Sequence, residues 1–137
     1  MSSNTKPIGV AYEDQNIVGS DRILSDEQFG YTAAAQGTVT QATSKSTGVT
    51  LDKSAGQIVM NNASLGATTN VTFTLTNSLI SVNDVLILNV AAGATAGAYN
   101  CWVSSLAVGS ATITVRNISA NPLAEAVTIN YAIIHCV

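Results

Sequence analysis

The chain has few charged residues. Of its 137 residues, five are Lys or Arg and eight are Asp or Glu, so charged residues make up 9% and the net charge is −3. Soluble domains usually carry about 25% charged residues. A nucleic-acid binder needs basic groups to neutralise phosphates, so no nucleic-acid partner is expected. A small domain with so few charges has weak protection against self-association. We therefore expect its surface to be buried in an assembly rather than solubilised by hydroxyls and amides alone.

Cysteines and long apolar runs are also scarce. Two cysteines, Cys101 and Cys136, are too few for a disulfide framework, and we expect free thiols. The longest apolar run, Val85–Ala92, is interrupted by Asn89 and is far shorter than the ~20 residues of a membrane-spanning helix. Met1–Pro7 lacks the apolar segment of a secretory signal. No membrane partner and no export are therefore expected.

The side chains that carry most enzyme chemistry are rare or scattered. His135 is the one histidine, and strand parity with Ile133 predicts that it faces inward as a structural residue rather than a metal ligand. Asp52, Asp84 and Glu125 are far apart in the sequence and are not paired for acid–base work. There is no Gly-x-Ser-x-Gly elbow and no Gly-rich phosphate loop carrying a Lys. We predict no enzymatic activity, no catalytic residue, no cofactor and no metal.

The charges are unevenly distributed along the chain. Residues 1–36 contain five acidic and two basic residues, whereas residues 37–137 contain three of each. The first segment also lacks a regular apolar period, so it is predicted to be an extended N-terminal arm that is either disordered or held by a partner. Within it, Ser25 and Gln28 match a capping box, which predicts one helical turn near residues 26–30.

Residues 37–137 alternate with period two. Val71, Phe73 and Leu75 lie on one side of a predicted strand, and threonines lie on the other. Threonine suits an outward strand face because its branched Cβ favours extended backbone. Strands of this kind recur at roughly 8–12 residues, the spacing of all-β sandwiches. The prediction is an eight-stranded antiparallel, jelly-roll-like sandwich.

Two features of the strands indicate contacts between subunits. Residues 84–91 are apolar on both faces, so we expect the strand to be covered on both, by its own core and by another subunit or the arm. Arg116 is the one charged residue of its strand and points outward by parity, where it would pair with Glu125 or with a neighbouring subunit. The interface candidates are Leu86, Leu88, Val90 and Arg116.

Several segments together resemble a β-domain that recurs in virion proteins of tailed bacteriophages. They are Thr38–Leu51, Gly56–Ala63, Phe73–Ser78, Gly93–Tyr99, Arg116–Ser119, Glu125–Ile134 and the leader Pro7–Gln15. The resemblance is greatest to capsid decoration, or cement, proteins. It implies a homotrimer on the outer surface of the capsid in the virion, with the major capsid protein as its partner. Such a trimer would clamp neighbouring capsid subunits and stabilise the DNA-filled head. The capsid-contact candidates in the arm are Ile8, Val10, Tyr12, Asp14, Ile17, Val18, Arg22 and Glu27.

Three other hypotheses about the function remain open. A tail-fibre or spike tip would bind a host-surface glycan through the region of Tyr99 and Trp102. An enzyme such as a glycan depolymerase would need a site formed between subunits, because no closely placed carboxylates are visible within one chain. A free-standing carbohydrate-binding module is disfavoured by the absence of an export signal.

Overall fold

The computed structural model describes residues 18–136. Its regular elements are a 3₁₀ turn at Ala33–Ala35 and eight strands: β1 Gln36–Thr40, β2 Val49–Thr50, β3 Ala55–Val59, β4 Asn70–Thr76, β5 Val85–Ala92, β6 Tyr99–Ala107, β7 Ser110–Asn117 and β8 Thr128–Ile134. The helical turn expected near residues 26–30 is absent. The Ser25 hydroxyl instead donates to the Gln28 carbonyl oxygen at 2.7 Å and closes a local turn. That prediction was wrong because no apolar helical stripe follows that could be buried against the domain.

The strands form two four-stranded sheets packed as a sandwich, which confirms the predicted fold class. Sheet A has the order β1-β3-β8-β5 and sheet B the order β2-β4-β7-β6. The first six strands alternate between the two sheets along the chain. β6 and β7 then form a hairpin in sheet B, and β8 returns to the centre of sheet A between β3 and β5.

The strand pairing differs from a purely antiparallel jelly roll. Four of the six pairs are antiparallel, but β1 pairs with β3 and β2 pairs with β4 in parallel. The strictly antiparallel part of the prediction was therefore wrong. Parallel neighbours need a crossover connection. Here the crossover is a strand of the opposite sheet, β2 between β1 and β3, and β3 between β2 and β4. The hydrophobic periodicity of a strand does not indicate which of the two sheets it joins, so this crossover could not be predicted from it.

The core fills the space between the sheets. Alternate residues of each strand point inward, so the apolar residues at every second position are the ones that are buried. Sheet A contributes Ile58, Ile129, Tyr131 and Ile133, and sheet B contributes Phe73, Leu75, Ile113 and Val115, all nearly inaccessible. Burying each large aliphatic side chain stabilises the fold by about 1.5–3 kcal/mol relative to exposure.

A pair of glycines lets β1 approach the core. Gly37 and Gly56 are direct partners in the parallel β1–β3 register. A Cβ atom at Gly56 would lie 2.6 Å from the Gly37 carbonyl oxygen and 2.8 Å from a Leu51 methyl group. Gly56 therefore requires glycine, because the clash is with backbone, whereas a Cβ atom at Gly37 would meet only side chains, the nearest a Leu51 methyl group at 2.9 Å. Leu51 and Tyr131 pack into the space that a side chain at Gly56 would fill.

Residues 18–30, called here the N-terminal segment, are exposed throughout and contain no helix or strand. The chain becomes attached to the sandwich just after them. The Tyr31 hydroxyl donates a hydrogen bond to the Ile133 carbonyl oxygen near the end of β8. The Lys53 ammonium donates to the Ala34 carbonyl oxygen at 2.9 Å. These contacts fix where the segment leaves the domain, at the end of sheet A where β8 finishes.

Candidate interaction surfaces

The outward side of sheet A, called the sheet A face, carries an apolar zone on β5 and β8. Val85 is opposite Ile134, and Ile87 is opposite Ala132, in the antiparallel register. Val85, Ile87 and Ile134 are 51%, 49% and 50% exposed, although all three are large apolar residues. Side chains paired across strands in this way are in direct contact, so they form one continuous patch.

A row of polar side chains borders this apolar zone. Thr38, Gln57, Asn130 and Asn89 occupy the same level of the four strands, in that order across the sheet. The Gln57 amide donates to the Asn130 side-chain oxygen at 3.0 Å. Towards β1, this row lines a shallow concavity of about 470 Å³, whose lining also includes the backbone of Gly37 and Gly56. The outward residues of sheet A include no charged residue in the described chain.

The interface candidates on β5 lie on the other side of that strand. Leu86 is buried, and Leu88 and Val90 pack against the same core cluster. Their side chains point into the space between the two sheets, so Leu86 is not available to another subunit and Leu88 and Val90 are only partly accessible. The side of β5 that could contact a neighbour is formed by Val85 and Ile87, so the residue assignment made from the sequence is corrected here.

The outward side of sheet B, called the sheet B face, is dominated by hydroxyl groups. Its threonines line β4 and β7 in register, and its serines lie on β6 and β7. Thr114, at the middle of this face, is only 5% exposed. Its hydroxyl is 2.9 Å from that of Thr72 and also contacts that of Ser104. The hydroxyls of this face therefore form hydrogen bonds with one another and can also form them with water.

Arg116 is the one charged residue of the sheet B face. It is half-buried between Asn70 on β4 and Asn100 on β6, its register partners. Among the described residues no carboxylate lies within ion-pair distance of its guanidinium. Glu125, the partner considered from the sequence, instead accepts hydrogen bonds from the Thr95 backbone N–H at 3.1 Å and the Thr95 hydroxyl at 2.6 Å. A contact of Arg116 with a neighbouring subunit stays a prediction.

Tyr99 and Trp102 do not form one aromatic platform. Trp102 is on the sheet B face and is 37% exposed, whereas Tyr99 packs against the core cluster. The hydroxyl of Tyr99 is buried, and burial together with the nearby Glu125 carboxylate raises its pKa to about 12. A glycan could therefore stack on Trp102 but not on both rings at once.

The end of the sandwich farthest from the N-terminal segment holds a buried lysine. The Lys45 ammonium donates to the Asn61 carbonyl oxygen at 2.5 Å and also to the Glu125 carbonyl oxygen. Burial lowers the pKa of Lys45, and the Glu125 carboxylate acts in the opposite direction. The amide of Gln41, also buried, donates to the Lys45 and Thr47 carbonyl oxygens. Within residues 18–136 both partners of the ammonium are backbone carbonyl groups, so Lys45 joins two loops.

The opposite end holds an Asp–His pair. The Asp84 carboxylate accepts the backbone N–H groups of Ser81 at 2.8 Å and Cys136 at 2.9 Å, and these two bonds lower its pKa to about 2. The His135 ring nitrogen is 3.3 Å from the same carboxylate. His135 is exposed rather than inward, because β8 ends at Ile134 and strand parity no longer applies.

The described residues hold two free thiols and no cluster of metal-ligating side chains. Residues 18–136 contain no group of three His, Cys, Asp or Glu side chains placed to hold a metal ion. The thiols of Cys101 and Cys136 are both free. In the same residues no helix has the length and apolar character needed to cross a membrane.

The arm candidates divide between described and undescribed parts of the chain. Val18, Arg22 and Glu27 are exposed, and they lie in the N-terminal segment. The remaining arm candidates, Ile8, Val10, Tyr12, Asp14 and Ile17, lie outside the described residues.

Comparison with known proteins gives no relative. No protein-family model matches the chain, and neither a curated protein nor a solved structure matches it. The surfaces described above are therefore the basis for an assignment of function, together with the resemblance noted from the sequence.

Proposed function

We propose that the chain is a decoration protein of a tailed-bacteriophage capsid. In this proposal it binds the outer capsid surface as a homotrimer, contacts neighbouring major capsid subunits and stabilises the DNA-filled head. The proposal rests on the resemblance across residues 37–137 and on three properties of the domain. These are a rigid sandwich, outward faces nearly free of charge, and an unpacked N-terminal segment.

The N-terminal segment is the observation that carries the proposal. Val18 and Phe29 are 88% and 89% exposed, and Ile23 and Leu24 are also exposed by more than half. Four large apolar side chains in one segment, none packed on the sandwich, are typical of a chain that is ordered by a partner. Its charged residues include Arg22 and Glu27, which would provide polar contacts at the edge of such an interface.

The hydrogen bonds that join the N-terminal segment to the sandwich support a role as a clamp on capsid subunits. The hydrogen bonds of Tyr31 and Lys53 join the segment's end to β8 and to the loop before β3. A force on the segment would therefore be transmitted to the sandwich. In a trimer three such segments would hold separate capsid subunits. Their combined attachment exceeds that of one segment, because each binding event raises the effective concentration of the others.

The test is a reconstruction, by electron cryo-microscopy, of the virion that contains this chain. We expect density for the sandwich at local threefold positions of the shell, with the N-terminal segment traced along adjacent capsid subunits. Density on the tail alone would overturn the proposal.

A binding experiment tests the segment directly. The double variant Leu24→Ser/Phe29→Ser should lose co-sedimentation with filled heads, because it removes two of the exposed apolar side chains. Val108→Ser is the matched control, since Val108 is an equally exposed apolar residue in the β6–β7 turn. Equal binding by the double variant and the control would show that the segment does not contact the capsid.

A glycan-binding tip of a tail fibre is the second candidate. The exposed ring of Trp102 among hydroxyl and amide groups favours it, since sugars stack on indole rings and bond to polar neighbours. Trp102→Ala should then abolish binding in a screen of host-surface glycans. A wild-type chain that binds no glycan in that screen would remove this candidate.

A further inference from the structure

The sheet A face is uncharged, and seven of its fourteen outward residues are apolar. Of these seven, Val85, Ile87, Ala92 and Ile134 are exposed, and the other three are half-buried. None of the outward residues can repel a second protein by charge. An exposed apolar patch with a polar border is a common form of interaction site.

The edge of sheet A at β5 also lacks protection. β5 is eight residues long, is an edge strand, and contains no charged residue and no proline. Exposed edge strands normally carry lysine, proline or an inward charge that prevents pairing with other chains. β5 carries none of these groups, and its bulge lies near its end, between Val90 and Ala92, so residues 85–89 are open to contact with another chain.

The chemistry of the face limits what can cover it. A partner with the usual ~25% of charged residues would have to bury charges against a surface that offers none in return. The chain itself has 9% charged residues, and the strands it forms carry Arg116 as their one charged residue. A second copy of the chain can therefore cover the face while burying little charge.

The dimensions of the face are sufficient for a contact between two copies. Four strands at about 4.8 Å spacing and four outward rows at about 6.7 Å give roughly 500 Å² of surface. A contact that covers this face would bury roughly 1,000 Å² on the two copies together, which is the lower limit for a biological interface.

We infer that the sheet A face is the contact between copies of this chain, with the apolar zone of Val85, Ile87 and Ile134 at its centre. The inference concerns self-association alone and does not depend on what the assembly binds.

The test compares charges placed on the two outward faces. Ile87→Glu puts a carboxylate at the centre of the proposed contact, whereas Asn100→Glu puts one on the exposed outward side of β6, the edge strand of sheet B. Sedimentation velocity on the full-length chain should show an oligomer for the wild type. Ile87→Glu should raise its dissociation constant by about a hundredfold or more, because an unpaired charge would be buried. Asn100→Glu should change it by less than about threefold.

Folding is controlled separately from association. Far-ultraviolet circular dichroism should be the same for both variants. If Ile87→Glu fails to fold, the double variant Val85→Thr/Ile87→Thr takes its place in the association measurement, since threonine is tolerated in strands. Unchanged association of that double variant would overturn the inference. A monomeric wild type, or dissociation by Asn100→Glu but not by Ile87→Glu, would overturn it too.

Co-sedimentation with filled heads separates this inference from the proposed function. Wild-type chain that forms oligomers through the sheet A face but does not bind heads would leave the inference standing and remove the capsid proposal. Monomeric chain that still binds heads would remove the inference and the proposed trimer, and would leave attachment to the capsid standing.

Discussion

Sheet A and sheet B contribute to the core in the same way but differ on their outward sides. In both, alternate residues are buried between the sheets, as Ile129 is in sheet A and Ile113 in sheet B. On the outside, sheet A presents exposed Val85 and Ile87, whereas the outward residues of β4 and β7 in sheet B are mainly threonines. The inward residues are determined by the fold, while the outward ones are free to reflect what each face contacts.

The sheet B face is therefore suited to contact with water, and the sheet A face is suited to contact with protein. The hydroxyls of the sheet B face bond to each other, as Thr72 and Thr114 do, and can also bond to solvent. The apolar zone of sheet A gains nothing from water and would gain about 25 cal/mol for each Å² buried against a second chain. Since the core requires neither arrangement, the outward chemistry is the better guide to function in this sandwich.

The largest expected effect tests the equivalence of the inward sides. Ile113→Ala and Ile129→Ala should each lower the free energy of unfolding by about 3 kcal/mol, because each removes a fully buried side chain from a central strand and leaves a cavity. Urea denaturation followed by tryptophan fluorescence measures both. A difference between them of more than about 2 kcal/mol would show that one sheet tolerates loss of packing better than the other.

The second largest expected effect concerns the buried lysine at one end of the sandwich. Lys45→Met should cost about 2–3 kcal/mol, because the carbonyl oxygens of Asn61 and Glu125 lose their charged donor where little water can replace it. Lys53→Met is the matched control, since Lys53 also donates to a carbonyl oxygen, that of Ala34, but at an exposed site. We expect less than about 1 kcal/mol there. Equal losses in urea denaturation would mean that burial of the Lys45 contacts is not what makes them strong.

A smaller effect is expected from acid at the β5 end of sheet A. The Asp84 pKa is about 2 in the folded chain, against about 3.9 in an unfolded one. A carboxyl whose pKa is lowered by folding stabilises the fold above its unfolded pKa and loses that contribution as the pH falls towards its folded pKa. Stability should therefore decline from about pH 4 to about pH 2.

Asp84→Asn should be less stable at neutral pH and should decline less steeply over that acid range. Thermal unfolding at a series of pH values measures this, with Asp26→Asn in the exposed N-terminal segment as the control. Parallel pH profiles for wild type and Asp84→Asn would contradict the assignment of the pH dependence to this carboxylate. Asp52 and Glu125, whose pKa values are also lowered by hydrogen bonds, from Ser78 and Thr95 respectively, would then account for it.

Much of the sandwich could be predicted from local periodicity. Val71, Phe73 and Leu75 alternate with threonines because one side of β4 faces the core, and that pattern is visible within seven residues. Pairing between strands is not local, so the parallel β1–β3 and β2–β4 pairs could not be derived in this way. Lys45 shows a similar limit. In the sequence it lies in a Ser- and Thr-rich turn, and its burial depends on carbonyl groups 16 and 80 residues away.

The apolar face of β5 was misassigned for a reason that the sequence could have corrected. Both sides of the strand are apolar, so hydrophobicity alone does not distinguish Leu86 and Leu88 from Val85 and Ile87. Asn89 shares its side with Val85 and Ile87, and it is the one polar residue of the strand. An amide is more costly to bury in a core than at an interface with water or polar groups, so it marks the outward side. The amide row that it joins required the register with Asn130 and could not be predicted.

The smallest expected effect tests whether the sheet B face is organised by its own hydrogen bonds. Thr114→Val keeps the branched shape of the side chain but removes the hydroxyl that contacts Thr72 and Ser104, and should cost about 1 kcal/mol in urea denaturation. Thr112→Val, two residues earlier on the same side of β7, is the control and should change stability by less than about 0.5 kcal/mol. A stabilising Thr114→Val would mean that this nearly inaccessible hydroxyl is a net cost to folding. In that case the hydroxyls of sheet B are retained to keep the face in contact with water, and the contrast with the sheet A face becomes sharper.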